Sequence, residues 1–94
     1  MEIAIKESGG KGFAIAREDD KRAGTMTYSI AGPELIIIDH TEVEPGFNGR
    51  GIGKMLLYAI VEMAREKNIK IIPLCPFAAS VFKKSDDIGD VLKA

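Results

Sequence analysis

The segment Leu35-Ile36-Ile37-Ile38-Asp39-His40-Thr41-Glu42-Val43, followed by Glu44-Pro45-Gly46-Phe47-Asn48-Gly49-Arg50-Gly51-Ile52-Gly53, decides how this chain reads. Its branched apolar start predicts a strand, Leu35–Val43, and the glycine-rich stretch after it predicts a turn. From there to about Lys67, Ile52, Met55, Leu56, Ala59, Ile60 and Met63 recur at helical spacing, the core stripe of an amphipathic helix. Leu57, Tyr58, Val61 and Ala64 widen the stripe, so most of the circumference is expected to be covered. Asn68 is the expected C-terminal stop, and Ile69–Cys75 reads as a second strand. A helical crossover returns the chain in the same direction, so the two strands should run parallel. Pro73 donates no ladder hydrogen bond, so pairing is expected only to about Ile72, with the strands parting beyond it.

Outward from this unit, the N-terminal third reads as an antiparallel meander. Glu2–Glu7 alternates, with Ile3 and Ile5 on one face, and Ser8–Gly12 is a turn. Phe13–Arg17 resumes the alternation, Glu18–Arg22 is a charged hairpin loop, and Thr25–Ile30 sets Met26, Tyr28 and Ile30 on one side. Leu35–Ile38 does not alternate, so this strand is expected to be central and covered on both faces. Past the second parallel strand, Phe77–Lys84 carries a short helical pattern, and Ser85 is placed to cap a last turn, Asp86–Leu92. The expected fold class is α/β: a mixed sheet whose meander leads into a β-α-β unit, within one domain spanning residues 1–94.

Composition narrows the function. Net charge is −1 with acids and bases interspersed, there is no basic block, and 2 Tyr, 4 Phe and no Trp offer little stacking surface. Nucleic acid is therefore not the expected partner. Apolar runs fall far short of a membrane span, and Glu2 and Lys6 interrupt anything resembling a secretory leader. A single cysteine makes no internal disulfide and fits a reducing, cytoplasmic compartment. One histidine and one cysteine among scattered acids do not make a metal set.

The glycine-rich turn has two readings. Bare amides at a helix start favour a negative group, so Gly49, Gly51 and Gly53, with Arg50 and Lys54 at the rim, predict a phosphate or pyrophosphate site. The other reading is a turn that permits close packing. Two commoner phosphate signatures fail: position 48 is Asn and position 55 Met where a G-x-x-x-x-G-K-[ST] loop needs Gly and a hydroxyl, and no G-x-G-x-x-G can be drawn.

The stretch His40-Thr41-Glu42-Val43 … Asn48-Gly49-Arg50-Gly51-Ile52-Gly53-Lys54 resembles the acyl-CoA motif [QR]-x-x-G-x-[GA] of the GNAT acetyltransferase superfamily. Ile71-Ile72-Pro73-Leu74-Cys75-Pro76-Phe77-Ala78 is similar to the ending of its short, single-domain subfamily. The resemblance spans about residues 35–84 and implies an acetyl-CoA-dependent N-acetyltransferase. It implies that the backbone around Asn48, Gly49, Arg50, Gly51, Ile52, Gly53 and Lys54 holds the pyrophosphate of coenzyme A, and that the strand edge near Val43 pairs with the pantetheine arm. There are two departures: Asn48 stands where Gln or Arg is usual, and the helix after Cys75 has Phe82 where many members use a tyrosine to protonate the leaving thiolate.

Three side chains in the unit carry chemistry that acetyl transfer needs. Glu42 is a candidate base, or a solvated strand-end charge. His40, an imidazole able to carry a proton, shares Glu42's face if the strand is regular, while a bulge between them would separate them; its other reading is a histidine hydrogen-bonded under the turn. Cys75, at the end of the second parallel strand, is a nucleophile, a proton donor to the departing sulfur, or a small buried apolar residue. The acceptor is an amine of unknown identity. Alternatives are a CoA-binding module without turnover and a non-catalytic interaction protein using the broad helix face. The expected assembly is a monomer or weak homodimer.

Overall fold

Two-residue turns at Gly9-Gly10 and Asp19-Asp20 fold the N-terminal third into hairpins, all four residues having the positive φ that suits the strand twist. In this computed structural model, which describes residues 1–93, the strands are β1 (Glu2–Ser8), β2 (Lys11–Glu18), β3 (Lys21–Gly32), β4 (Leu35–Val43) and β5 (Lys70–Pro73). They form one sheet in the order β1-β2-β3-β4-β5, antiparallel except for the β4–β5 pair. The helix α1 (Ile52–Lys67) makes the crossover, and α2 (Pro76–Lys84) and a 3-10 helix (Asp86–Val91) follow. The parallel pair, the meander and the helix bounds agree with the sequence expectations. β3 is longer than its apolar alternation, because its paired ends, Lys21 and Gly32, belong to turns with no periodic signal.

The sheet has one covered face. Ile3 and Ile5 pack against the buried Ala14, Ala16, Met26, Tyr28, Ile36 and Ile38 of that face, over which lie Leu56, Leu57, Ile60 and Val61 of α1. Each fully buried Leu or Ile there is worth about 1.5–3 kcal/mol relative to exposure. Phe13, Ile15, Ile37 and Ile72, on the opposite face by register, are only half-buried and lie outside this cluster. The expectation that Leu35–Ile38 is covered on both sides is therefore corrected: Ile36 and Ile38 are interior, while Leu35 and Ile37 are half-exposed. The buried arc of α1 is also rotated from the expected stripe. Met55 is 39% exposed, whereas Leu57, Val61 and Ala64 are enclosed.

The C-terminal segment accounts for that rotation. Ile88 and Val91 of the 3-10 helix are buried, and Arg65 of α1 binds the Asp90 carboxylate (2.8 and 3.0 Å) while the Tyr58 hydroxyl donates to Asp87 (3.1 Å). These hydrogen bonds from Arg65 hold the Asp90 carboxyl below the usual carboxylate range. Lys93 N–H donates to the Ile71 carbonyl (2.9 Å), covering part of the outer edge of β5. Asn68 stops α1 as expected, in left-handed backbone with its N–H on the Ala64 and Arg65 carbonyls. Tyr28 is fully buried, and its hydroxyl donates to Glu7 (2.6 Å); burial first, then that bond, raise its pKa. No described helix is long and apolar enough to cross a membrane.

Candidate active site

Parallel pairing runs from Leu35–Lys70 to Ile38–Pro73 and stops. The Ile38 carbonyl then accepts from both Leu74 N–H (3.1 Å) and Cys75 N–H (3.0 Å), so β5 turns away into α2, with Cys75 as its N-cap and Pro76 first in the helix. From Asp39 onward β4 keeps β3 on one edge and has no paired strand on the other. The parting expected after Ile72 occurs one residue later, at Pro73, where the chain turns into α2.

At the same height β4 changes phase. Tyr28 opposes Ile38 and Thr27 opposes His40, leaving Asp39 as the extra residue of a bulge. Its carboxylate accepts from Ser29 Oγ (2.7 Å) and faces Lys11 Nζ (3.5 Å). Before the bulge the even residues Ile36 and Ile38 face the helices; after it the odd ones, Thr41 and Val43, do so. His40 and Glu42 consequently share the open face, and both are exposed. The bulge precedes the pair, so it does not separate them. His40 makes no side-chain hydrogen bond among the described residues, so the reading of it as tied under the turn is not what the structure has. Thr41 points the other way, its Oγ1 3.2 Å from Cys75 Sγ. Cys75 is 5% exposed and belongs to the core cluster. The three reacting candidates are thus divided by β4 itself, with Cys75 on the helix side and His40 and Glu42 on the other.

The turn leading to α1 is built for close approach. Gly49 and Gly51 have φ of 78° and 74°, and a Cβ on either would meet nothing within 4 Å, so the backbone there is open. The first bond of α1 runs from Met55 N–H to the Gly51 carbonyl (3.0 Å), which leaves the amides of Ile52, Gly53 and Lys54 without helical acceptors. Gly51 offers no side-chain cap, and the first turn has no acidic residue to compete with an anion. Gly53 is different: a Cβ would lie 2.7 Å from Phe77 Cζ, so this glycine seats the α2 ring on the first turn of α1. The packing reading of the glycine-rich turn applies at Gly53, while at Gly49 and Gly51 the backbone is left open.

Of the charges flanking the turn, Arg50 pairs with Glu18 of the β2–β3 hairpin and lies 5.2 Å from the Phe47 ring centroid. Lys54 Nζ is 5.6 Å from the Tyr58 ring centroid. Asn48 is exposed. Val43, half-buried and paired with Gly24 of β3, lies just ahead of the turn on the stretch of β4 whose other edge has no strand. Phe77 and Thr41 are the neighbours that sequence reasoning missed. Phe77 reads only as one apolar residue of a short helix, and Thr41 meets Cys75 only because of the bulge.

An amide-rich, uncapped helix start beside a parted parallel pair suits a ligand carrying phosphate at one end and an extended arm at the other. The fold and this site define the class as the acetyltransferase fold that the motif resembles. The description GCN5-related N-acetyl-transferase matches residues 12–91, and the chain belongs to that family. Its acetyl-CoA-dependent N-acetyltransferase function stands on that membership.

The chain is similar to a GCN5-like protein of Staphylococcus aureus solved by NMR. Identity is 38%, over 97% of this chain and 88% of that one, with a TM-score of 0.72. Protein NATD1 of Xenopus tropicalis is 26% identical over 73 residues, 78% of this chain, which spans 67% of that protein's length. A Mycobacterium tuberculosis protein solved in complex with CoA shares the fold at TM-score 0.56 and 23% identity, over 65% of this chain and 39% of that one.

Proposed function

We propose that the chain transfers the acetyl group of acetyl-CoA to an amine. The pyrophosphate is held by the backbone from Asn48 through Gly49, Arg50, Gly51, Ile52 and Gly53 to Lys54, and the pantetheine arm lies along β4 near Val43. The observation that carries this reading is the uncapped start of α1 directly after the stretch of β4 that has lost its parallel partner. Positive partial charge at a helix start and unpaired amides serve an anion together. Arg50, engaged with Glu18, sets the shape of the turn through its hairpin contact.

Acetyl-CoA supplies the acetyl group as a thioester. The protein's own task is protonic. A lysine-like amine is mostly charged at neutral pH, and freeing its lone pair costs about 4–5 kcal/mol. Glu42, exposed beside the gap, accepts that proton, and His40 on the same face passes it to solvent. Cys75 lies across β4 from them, which suits a donor returning a proton to the departing sulfur. It does not suit a nucleophile, which must be visited by the incoming amine as well as by the thioester. The absence of a tyrosine on α2, where Phe82 is buried, leaves that proton donation to Cys75.

Calorimetry with acetyl-CoA and with free CoA tests the binding half: both should give heat and raise the melting temperature, and silence from both removes the assignment. Turnover is read as CoA release with amines and peptides. Glu42→Gln should lower kcat by about 100-fold, at the lower end for a general base, with binding unchanged. Cys75→Ala with undiminished kcat takes the thiol out of the mechanism. Tight binding with no CoA release for any amine leaves the non-catalytic module as the function.

A further inference from the structure

Resting on that reading, we infer that the acceptor amine is carried by an extended polypeptide lying across the uncovered face of the sheet, rather than by a small molecule in a cleft. The register aligns two cross-strand rows on this face. One is Glu42–Thr25–Ile15–Ala4 and the other His40–Thr27–Phe13–Lys6, each taking one residue from β4, β3, β2 and β1 in turn. Each row begins at a candidate base and continues over a half-buried floor of one threonine and one apolar residue, Thr25 with Ile15 or Thr27 with Phe13. Three strand spacings of about 4.8 Å carry a row roughly 14 Å, the reach of about four residues of extended chain.

Charge says what belongs there. Asp39 faces Lys11 at 3.5 Å and Glu44 faces Arg22 at 3.4 Å, whereas Glu42, between them along β4, forms no ion pair among the described residues. The unneutralised carboxylate sits where the rows meet the gap, and its complement is a cationic amine. Shape says how that amine is presented. Small ligands are held in concave sites that bury most of their surface, and the floor beside His40 and Glu42 is a pleated plane. A hollow of about 470 Å3 lies at the other end of β4, around Gly32, Leu35 and Lys70. Another, of about 540 Å3 over Glu2, Ile3, Ala4, Ile15 and Arg17, lies at the far end of the first row, where a fourth or fifth peptide residue would arrive.

The test uses the whole chain, with acetyl-CoA saturating and two acceptor sets: mixed-sequence lysine peptides with free N-termini, and the small amines spermidine and an aminoglycoside. The peptides should be preferred at least tenfold in kcat/KM. Phe13→Ser should raise peptide KM about tenfold while the acetyl-CoA Kd stays within twofold. Thr27→Lys, at a half-exposed site that tolerates a long side chain, should do the same by repelling the cation, and guards against misfolding of the first variant. Small amines turned over as well as peptides, peptide KM indifferent to Thr27→Lys, or no CoA release from peptides despite acetyl-CoA binding would each overturn the inference. So would a dimer in sedimentation that Thr27→Lys dissolves, because the face would then be covered by a second copy. Loss of acetyl-CoA binding itself removes the transferase reading and this one together, and calorimetry distinguishes that failure from the others.

Discussion

Over Leu35–Ile38, β4 has a hydrogen-bonded neighbour on each edge and sends every second side chain into the core; over Asp39–Val43 it has one neighbour, an extra residue and two exposed polar side chains. The two halves are contiguous parts of one strand, and what differs between them is partners and the bulge that joins them. Where both edges are satisfied the strand is wall. Where one edge is left open, main-chain groups remain for a ligand, and side chains released from packing are available for proton transfer. The contrast explains why stability and chemistry can share one short strand without competing for the same residues.

The contrast can be broken by truncation. Ile38→Ala should cost about 2–5 kcal/mol in denaturant unfolding, the range for a fully buried Ile. Glu42→Ala, four residues on, should stay within about 0.5 kcal/mol, as for other surface changes. A Glu42 variant as costly as the Ile38 one would mean that the second half is also structural. A smaller effect sharpens the boundary at the turn. Gly51→Ala forces a side chain into left-handed backbone, an expected loss of about 1–2 kcal/mol, and it should weaken CoA binding in calorimetry because the amides of the first turn are displaced. Unchanged affinity would detach the turn from the ligand.

The smallest expected effect concerns Tyr28, the partner of Ile38 at the last register position before the bulge. Its pKa is raised in the fold, so its contribution is fully present below the ordinary tyrosine value of about 10 and is lost as pH climbs above it. Melting temperature should therefore fall beyond about pH 10, and Tyr28→Phe should flatten that fall. An alkaline limb unchanged in the variant would assign it to other groups.

Much of this was legible in the chain itself, for identifiable reasons. The bounds of β4, the span of α1 and its stop at Asn68 follow from apolar periodicity and from a residue that tolerates left-handed backbone. The parallel pair follows from the crossover, and its parting from the prolines. The one-sided burial of Leu35–Ile38 was hidden because four consecutive apolar residues look the same whether one face is covered or two. The exposure of Met55 was hidden because apolar periodicity alone gives Met55 and the buried Leu56 the same place on the helix stripe. The bulge at Asp39 leaves no compositional mark, being a mismatch in count between two strands and not a property of either. With it went the contact of Thr41 with Cys75 and the sidedness of the candidate bases.

That mismatch gives the strand a parity. Deleting Asp39 would set His40 directly after Ile38 in a regular strand, with His40 and Glu42 still on the open face and Thr41 and Val43 still toward the helices. The chain lacking Asp39 should therefore fold and keep Thr41 beside Cys75, losing only the carboxylate that Ser29 and Lys11 meet, and a variant that fails to fold would show that the frame had slipped elsewhere. The extra residue is spare in count, and deleting a residue from the regular stretch beyond it is what would exchange the two faces.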